Sequence, residues 1–325
     1  MRPIDRRMML GAGSAAVIAA AAGGFTSTAA QARAPVVGKQ AVGFYRLKIG
    51  DFEITVISDG SLAFEPSLWN APQKDVVDTL AAEGRDTRSV PFQLNTLVVN
   101  TGERLVLIDT GAGGKFQQSS GTLVTNLMAA GYRPEQIDTV IFTHLHPDHL
   151  WGATSANGSA LVFPNADYVC SEAEVAFWSD AALPGHVPAA MRQMVEATQL
   201  ALKAIASRLK RIKSGAEIFS GIASVDTPGH TPGHISVAIT SGSDALMVSG
   251  DVVANATLSF RHPGWGIGFD MDQGQAAKTR SAFLDRCASD RTLIASYHLP
   301  FPALGRVLRN GTVYRWAPAE WRWTV

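Results

Sequence analysis

Cysteine is almost missing from this chain, with two in 325 residues. Two thiols cannot build a disulfide framework or a cysteine-rich metal site, so neither can replace a hydrophobic core. An excess of one charge is missing too, since 28 Lys+Arg stand against 28 Asp+Glu. Without a basic field, nucleic acids and anionic membrane surfaces have no electrostatic hold, and neither is expected as a partner. Beyond the N-terminus the sequence has no charge block, low-complexity tract or linker-like run that would divide it. What it does have is apolar material, 46% of residues, enough for a substantial core and too much for a disordered chain. The 30 Gly and 16 Pro follow no fixed period, which excludes a collagen-like fibre and marks turns instead.

Residues 1–34 have the layout of an export signal and are set apart from the fold. A short basic region ends in Arg6-Arg7, an uncharged stretch runs from Met8 to Gln31, and Ala32-Arg33-Ala34 offers a small-x-small cleavage pattern. The stretch is long enough to span a bilayer, but it is mostly Ala, Gly, Ser and Thr, a poor permanent anchor. Arg6-Arg7 followed by Met-Met-Leu resembles a twin-arginine signal; an ordinary secretory signal is the alternative. The expectation is a periplasmic protein with no stable membrane anchor and a single domain over 35–325. Removal of 1–34 takes away four arginines and one aspartate, leaving a net charge of about −3.

Apolar alternation around Gly50-Asp51 predicts a hairpin over Phe44–Ile57. Strand-like runs recur at Gln93–Asn100, Arg104–Asp109 and Ile137–Thr143, with a helical stretch ending at Gly131. Ser171-Glu172-Ala173-Glu174 is a capping-box pattern opening a helix that carries Phe177 and Trp178. An amphipathic segment runs from about Pro188 to Lys213, with Met191, Met194, Val195, Leu202, Ile205 and Leu209 on one face. Strands resume at Glu217–Val225, Ile235–Thr240 and Ala245–Ser249, and a helix over roughly Gln273–Ala288 precedes a strand at Thr292–Tyr297. Interleaved strands and helices in both halves predict an α/β protein with two sheets sandwiched between helices.

The chemistry concentrates in eight histidines, three of them within Thr143-His144-Leu145-His146-Pro147-Asp148-His149. His144 and His146 leave a buried strand two residues apart and can point the same way. Pro147 turns the chain, so Asp148 and His149 can approach the same point from another direction. Neutral imidazoles and a carboxylate converging on one spot are what a divalent cation requires. Further pieces end other apolar strands: the doubled Thr-Pro-Gly-His of residues 227–234, Ser249-Gly250-Asp251, and Tyr297-His298-Leu299-Pro300.

With these residues the sequence resembles the metallo-β-lactamase superfamily over about Phe44 to Trp316. The His-x-His-x-Asp-His motif is its most specific mark. Within it the chain looks closest to the methyl parathion hydrolase branch, on residues 143–149, 227–234 and His-Leu-Pro-Phe-Pro at 298–302. The resemblance implies an αββα sandwich of two mixed sheets, with a dinuclear metal site at the sheet edge. It implies that His144, His146 and His234 hold one cation and that Asp148, His149 and His298 hold the other. Asp251 would bridge the two together with a water or hydroxide. Two cations about 3.5–4 Å apart lower the pKa of that water and polarise the substrate oxygen. Asp148 and Asp251 are the catalytic candidates, with Asp148 also steering protons. Zinc suits the histidine-rich set, and Mn, Co or Fe could occupy one site. Asp109 is a candidate for orienting a ligand histidine, or else a strand-end turn residue.

Other residues read as structural. His230 is taken as a turn or outer residue, and His186 and His262 as surface-loop residues. Cys170 and Cys287 are expected free and buried. Gly111-Ala112-Gly113-Gly114-Lys115 lacks phosphate-loop spacing and reads as a tight loop beside the site. Phosphotriesters, aryl esters, lactones and β-lactams all present a polarised P=O or C=O, so the metal motif does not choose among them. Phe116 and Trp178 lie where methyl parathion hydrolase-like proteins line an aromatic leaving-group pocket; plain core packing is the alternative. Organophosphate triesters or aryl esters are the first reading and lactones the second. N-acyl-homoserine lactonases place a tyrosine three residues after the bridging aspartate, where this chain has Ala254. True zinc β-lactamases lack the bridging carboxylate, and flavodiiron-type members carry Glu in place of His146. A non-catalytic metal-binding protein is disfavoured because no ligand position is lost. A homodimer is the default assembly.

Overall fold

Strand residues alternate between two faces, and in this chain both faces are buried through much of each sheet. The computed structural model describes residues 43–213 and 215–325, with Val36, Gly38, Gln40 and Ala41 before them. The export signal expected at 1–34 lies outside the described residues, and every described strand and helix belongs to the unit Val42–Val325. No helix among the described residues is long and apolar enough to cross a membrane.

The first hairpin pairs β1 (Phe44–Ile49) with β2 (Phe52–Phe64) through the predicted turn at Gly50-Asp51. A two-residue strand β3 (Trp69–Asn70) and helix α1 (Gln73–Ala82) lead to β4 (Val90–Asn100) and β5 (Leu105–Ile108). Then come α2 (Leu123–Ala129), β6 (Thr139–Ile141), α3 (Pro147–Leu150) and β7 (Asp167–Ser171). Helices α4 (Glu172–Trp178), α5 (Leu183–His186) and α6 (Ala189–Ile205) precede β8 (Leu209–Ile212). Together they form a seven-stranded sheet, β1-β2-β4-β5-β6-β7-β8, whose last four strands run parallel.

The second half adds β9 (Glu217–Phe219), β10 (Ile222–Asp226), β11 (Ile235–Ser241) and β12 (Asp244–Val248). Helix α7 (Leu258–Arg261), β13 (Gly266–Ile267) and α8 (Gln273–Asp290) follow, then β14 (Leu293–Ala295), β15 (Leu304–Asn310) and β16 (Val313–Pro318). These make a second seven-stranded sheet, β16-β15-β14-β12-β11-β10-β9, while β13 pairs with β3 apart from both.

Side-chain alternation sorts the core into layers. Ile54, Val56, Leu97, Val99, Val106 and Ile108 of the first sheet pack against Ile235, Val237, Ile239, Leu246 and Val248 of the second. The opposite face of the first sheet, with Val98, Leu107 and Val140, is covered by Leu123, Leu127, Val175, Val195, Leu202 and Ile205 from α2, α4 and α6. Helix α8 covers the outer face of the second sheet with Phe283, Leu284 and Cys287. Each such fully buried aliphatic or aromatic side chain contributes about 1.5–3 kcal/mol. The predicted helix–sheet–sheet–helix order is therefore present, and both cysteines are free and buried as expected.

Two elements differ. Glu217–Val225, expected as one strand, turns at Ser220-Gly221 into the antiparallel pair β9 and β10. The amphipathic segment expected to reach Lys213 leaves the helix at Ile205, and Leu209–Ile212 becomes an edge strand. Ile205, Leu209 and Ile212 fit helical spacing, but the open side of β7 offers ladder hydrogen bonds that the local pattern does not reveal.

Candidate metal centre

The site gathers where strands of both sheets end. After β6 the backbone reaches Thr143, whose N–H and hydroxyl both donate to Asp109 at 2.8 Å. Asp109 follows β5 with φ 60°, a left-handed conformation that aspartate tolerates better than most residues. His144 leaves the strand, Pro147 opens the short helix α3, and Asp148 and His149 return from its first turn. His230 comes from the turn between β10 and β11, Asp251 from the 3-10 turn after β12, and His298 from the segment after β14.

Three groups of donor atoms converge, each within 4.8 Å: His144 with His146 and His230, His144 with His149 and Asp251, and Asp148 with His149 and His298. His146 Nδ1 lies 3.0 Å from His144 Nε2 and 2.9 Å from His230 Nε2. Asp251 sits in the middle, with Oδ2 3.1 Å from His230 Nε2 and 3.0 Å from His298 Nε2, and Oδ1 3.1 Å from His149 Nε2. All seven of these side chains are buried.

Two of the buried atoms, His149 Nε2 and Asp251 Oδ1, face each other at 3.1 Å but at angles that form no hydrogen bond, and neither forms one elsewhere. Orphaned polar atoms are expensive in an interior, and a cation between them is the partner their chemistry fits. The electrostatics agree with that fit. Burial, reinforced by the neighbouring histidines, holds His144 and His146 well below the usual imidazole range, in the neutral form a cation needs. Burial alone would lower His230 and His149 as well. Around His230 the Asp251 and Asp270 carboxylates outweigh it and raise the ring to about 9. Around His149 the carboxylates of Asp251, Asp109 and Asp148 do the same. Protons on those two rings balance negative charge that bound cations would balance instead.

The structure corrects the ligand set at one position. His234, expected to hold a cation, has both ring nitrogens engaged by the protein. Its Nδ1 lies 3.0 Å from the Thr227 carbonyl and 2.9 Å from the Thr227 hydroxyl, and its Nε2 accepts the Asp251 N–H at 3.0 Å. Burial pushes His234 down to about 3, so it stays neutral and keeps that acceptor. Gly250 makes this seat possible, since a Cβ there would stand 2.6 Å from His234 Nε2. His234 thus orients the backbone of Asp251. His230, read from sequence as an outer residue, is the histidine brought into the cluster.

The rings are held from behind. Asp109 Oδ2 accepts from His149 Nδ1 at 2.9 Å, and the Gln93 carbonyl accepts from His298 Nδ1 at 2.9 Å. Asp270 Oδ1 accepts from His230 Nδ1 at 2.8 Å, while its Oδ2 pairs with the buried Arg280 at 3.1 Å. Tyr297 stacks on His149 with ring centroids 3.8 Å apart, and its hydroxyl donates to the Asp148 carbonyl at 2.5 Å. Gln93, Asp270, Arg280 and Tyr297 escaped the sequence reading. Only Tyr297 carried a local signal, its place directly before a candidate ligand. His262 is half-buried and stacked on Trp265, and His186 is exposed.

A narrow cavity of about 30 Å³ opens on the cluster, walled by Leu62, Phe64, Phe92, Phe116, Met194 and Phe269, with His146, Asp148, Asp251 and His298 at its base. The structure places Phe116 in this wall. Trp178 it does not: the indole is fully buried edge-on against His146, and its N–H donates to Glu174 Oε1 at 2.7 Å. The pocket expectation for Trp178 is therefore corrected to core packing, because α4 turns that face inward under the ligand loop. The 111–115 segment is a tight loop beside the site, fixed by Lys115 Nζ donating to the Trp151 and Thr154 carbonyls.

Compared with known proteins, residues 89–298 match the family model described as the Metallo-beta-lactamase superfamily. A solved structure of AidC, a dizinc quorum-quenching lactonase in complex with a hydrolysis product, is 31% identical. It superposes with a TM-score of 0.81 over 86% of this chain and 98% of that one. The hydrolase AbOPH of the beta lactamase superfamily is 33% identical, with a TM-score of 0.82 over 87% of this chain and all of that one. An N-acyl homoserine lactonase of Bacillus cereus is 25% identical over 39% of this chain, and the aligned part spans 42% of that relative's length.

Proposed function

We propose that this chain, which belongs to the metallo-beta-lactamase superfamily, is a metal-dependent hydrolase that cleaves uncharged, largely apolar esters, with lactones first. The observation that carries this reading is the cavity wall. Leu62, Phe64, Phe92, Phe116, Met194 and Phe269 surround the approach to Asp148, Asp251 and His298, and no lysine or arginine is among the lining residues. A charged substituent lying away from the cations, such as the carboxylate of a β-lactam, would lose its hydration against this wall without gaining a partner. An acyl tail or aryl group gains by burial instead. The lactonase relatives support the lactone reading. Organophosphate triesters or aryl esters are the second reading, favoured by Phe116 alone now that Trp178 lies outside the wall.

His144, His146 and His230 would hold one divalent cation, and Asp148, His149 and His298 the other, with Asp251 between them. Bound cations there supply Lewis acidity and water activation at neutral pH. Asp251 is held for this by the His234 ring beneath its backbone. Asp148, at the cavity base, is the carboxylate placed to take up a proton and return it to the leaving oxygen. The aromatic wall excludes water around the bound ester, and Phe92, edge-on to His298 at 5.0 Å, fixes that ring's tilt.

A substrate panel tests the reading. Acyl-homoserine lactones, simple lactones, aryl phosphotriesters and small acetate esters are assayed with the unaltered protein and with Phe116→Ala. The expected outcome is best turnover on tailed lactones, with kcat/KM lowered by about 1–3 kcal/mol in the variant and metal content unchanged. Aryl phosphotriesters outpacing every lactone would move the second reading to first place. An equal loss on small acetates would show that Phe116 acts only by packing.

A further inference from the structure

The buried carboxylate of Glu174 belongs to no part of the metal cluster. Its residue stands at the third position of α4, where the sequence pattern predicts a reciprocal capping box. Half of that box forms: Ser171 Oγ accepts the Glu174 N–H at 3.2 Å. The other half does not, because the Glu174 side chain turns inward. Its Oε1 accepts the Leu145 N–H at 2.9 Å and the Trp178 indole N–H at 2.7 Å. Its Oε2 accepts the Thr231 hydroxyl at 2.6 Å and the Gly233 N–H at 3.0 Å. Glu174 is fully buried.

Besides the Trp178 indole of α4 itself, the donors come from two segments far apart in the chain. Leu145 lies between His144 and His146, while Thr231 and Gly233 follow His230. Two further contacts hold the same junction. Ser171 Oγ donates to the Gly233 carbonyl at 2.6 Å, and a Cβ at Gly233 would stand 2.1 Å from the Glu174 nitrogen. The second turn is therefore seated directly on the first turn of α4. A buried carboxylate with four donors and no cation among them is costly to assemble unless the donors are fixed in place. Helix α4 fixes them, and the donors in turn fix the spacing of the histidines that flank them.

We infer that Glu174 is a positioning residue that clamps the His144–His146 segment to the His230 turn and so pre-forms the three-histidine half of the metal centre. It touches neither the cations nor the substrate. The inference rests on the dinuclear reading of the site. Its consequence is selective, because the Asp148–His149–His298 half receives no hydrogen bond from Glu174.

The test is stepwise metal release from the zinc-loaded full-length protein under a graded chelator, with folding followed by circular dichroism. In Glu174→Gln the amide nitrogen is best placed towards Thr231, whose hydroxyl can turn to accept, leaving the Gly233 N–H unpaired. One zinc equivalent should then leave at about 10- to 100-fold lower chelator concentration, and the other as in the unaltered protein. Thr231→Val removes only one hydroxyl from the clamp, so it decides the matter should Glu174→Gln fail to fold; it should weaken the same equivalent by a smaller factor. Release of both equivalents as in the unaltered protein, or equal weakening of both together with a lowered melting temperature, overturns the clamp. An unaltered protein that cannot hold two equivalents fails the dinuclear reading instead, and the clamp falls with it.

Discussion

The two sheets supply the metal centre in different ways. The first sheet delivers four donors from one strand exit and one turn, His144 to His149, backed by Asp109 from the neighbouring strand. The second sheet delivers His230, Asp251 and His298 singly, each from a different strand end and each with its own support. The buried carboxylates differ in the same sense. Asp109 faces imidazole, amide and hydroxyl donors, whereas Asp270 is paired with the guanidinium of Arg280. A short continuous motif can be positioned by its own backbone. Donors scattered over 69 positions, from His230 to His298, need separate supports: the Asp270–Arg280 pair behind His230, the His234 ring beneath Asp251 and the Gln93 carbonyl behind His298.

Breaking the point where the two halves meet should have the largest effect. Asp251→Asn removes the carboxylate that lies about 3 Å from histidines of both sheets. The expected loss in kcat/KM is about 10⁴-fold or more, over 5 kcal/mol of transition-state stabilisation, with weaker retention of at least one metal equivalent. Metal analysis beside steady-state kinetics checks it. Two retained equivalents and unaltered turnover would show that the halves operate without this bridge.

The same contrast explains what the sequence reveals. The His-x-His-x-Asp-His run is legible because six consecutive residues, one of them a proline, fix its geometry locally. The layered fold is legible for a similar reason, since the continuous apolar runs at Leu97–Val99 and Val106–Ile108 mark strands buried on both faces, interleaved with helical segments. His230 and His234 are not distinguishable in this way, because each ends an identical Thr-Pro-Gly-His unit. What separates them is tertiary: Asp270 waits behind one ring, and Thr227 with the Asp251 backbone encloses the other. Trp178 misleads by the same route, because a helical position near the ligands does not say which side of α4 meets the cavity. The Leu209–Ile212 strand is set by the free edge of β7, which local spacing does not show.

A second prediction sharpens the comparison through the charged strut of the second half. Arg280 is buried and donates to the carbonyls of Val252, Pro263 and Trp265 as well as to Asp270. Arg280→Met keeps the bulk but leaves Asp270 as a buried charge with His230 and the Ile267 N–H as its remaining partners. Removing one member of such a pair costs about 3–5 kcal/mol. Chemical denaturation of the metal-free protein should show that loss. A change below about 1 kcal/mol would mean that the second half does not depend on its ion pair.

The smallest predicted effect concerns a carboxylate of the first sheet that has no cation at all. Asp59, beside the irregular pairing of β2 with β4, accepts the N–H groups of Ala112 and Leu123 at 2.8 Å each. It thereby fastens both ends of the loop that carries Phe116. Burial pushes its pKa up to about 6; the backbone N–H bonds oppose that, and the nearby Asp148 charge adds to it. The sign follows from linkage. A group whose folded pKa exceeds its unfolded value binds more protons in the native state, so its contribution to stability is present at low pH and lost as pH rises. For Asp59 the loss spans about pH 4 to 6, and between pH 5 and 7 it amounts to about 1 kcal/mol. The metal ligands titrate nearby, so the quantity to measure is the stability difference between the unaltered protein and Asp59→Asn at each pH. Asparagine cannot ionise; it forfeits one of the two acceptors at every pH, which shifts the difference by a constant. The unaltered protein should lose ground to the variant by about 1 kcal/mol from pH 5 to pH 7. A pH-independent difference would mean that Asp59 keeps an ordinary carboxylate pKa in its buried place, and that the first half needs no cation because its N–H donors already suffice.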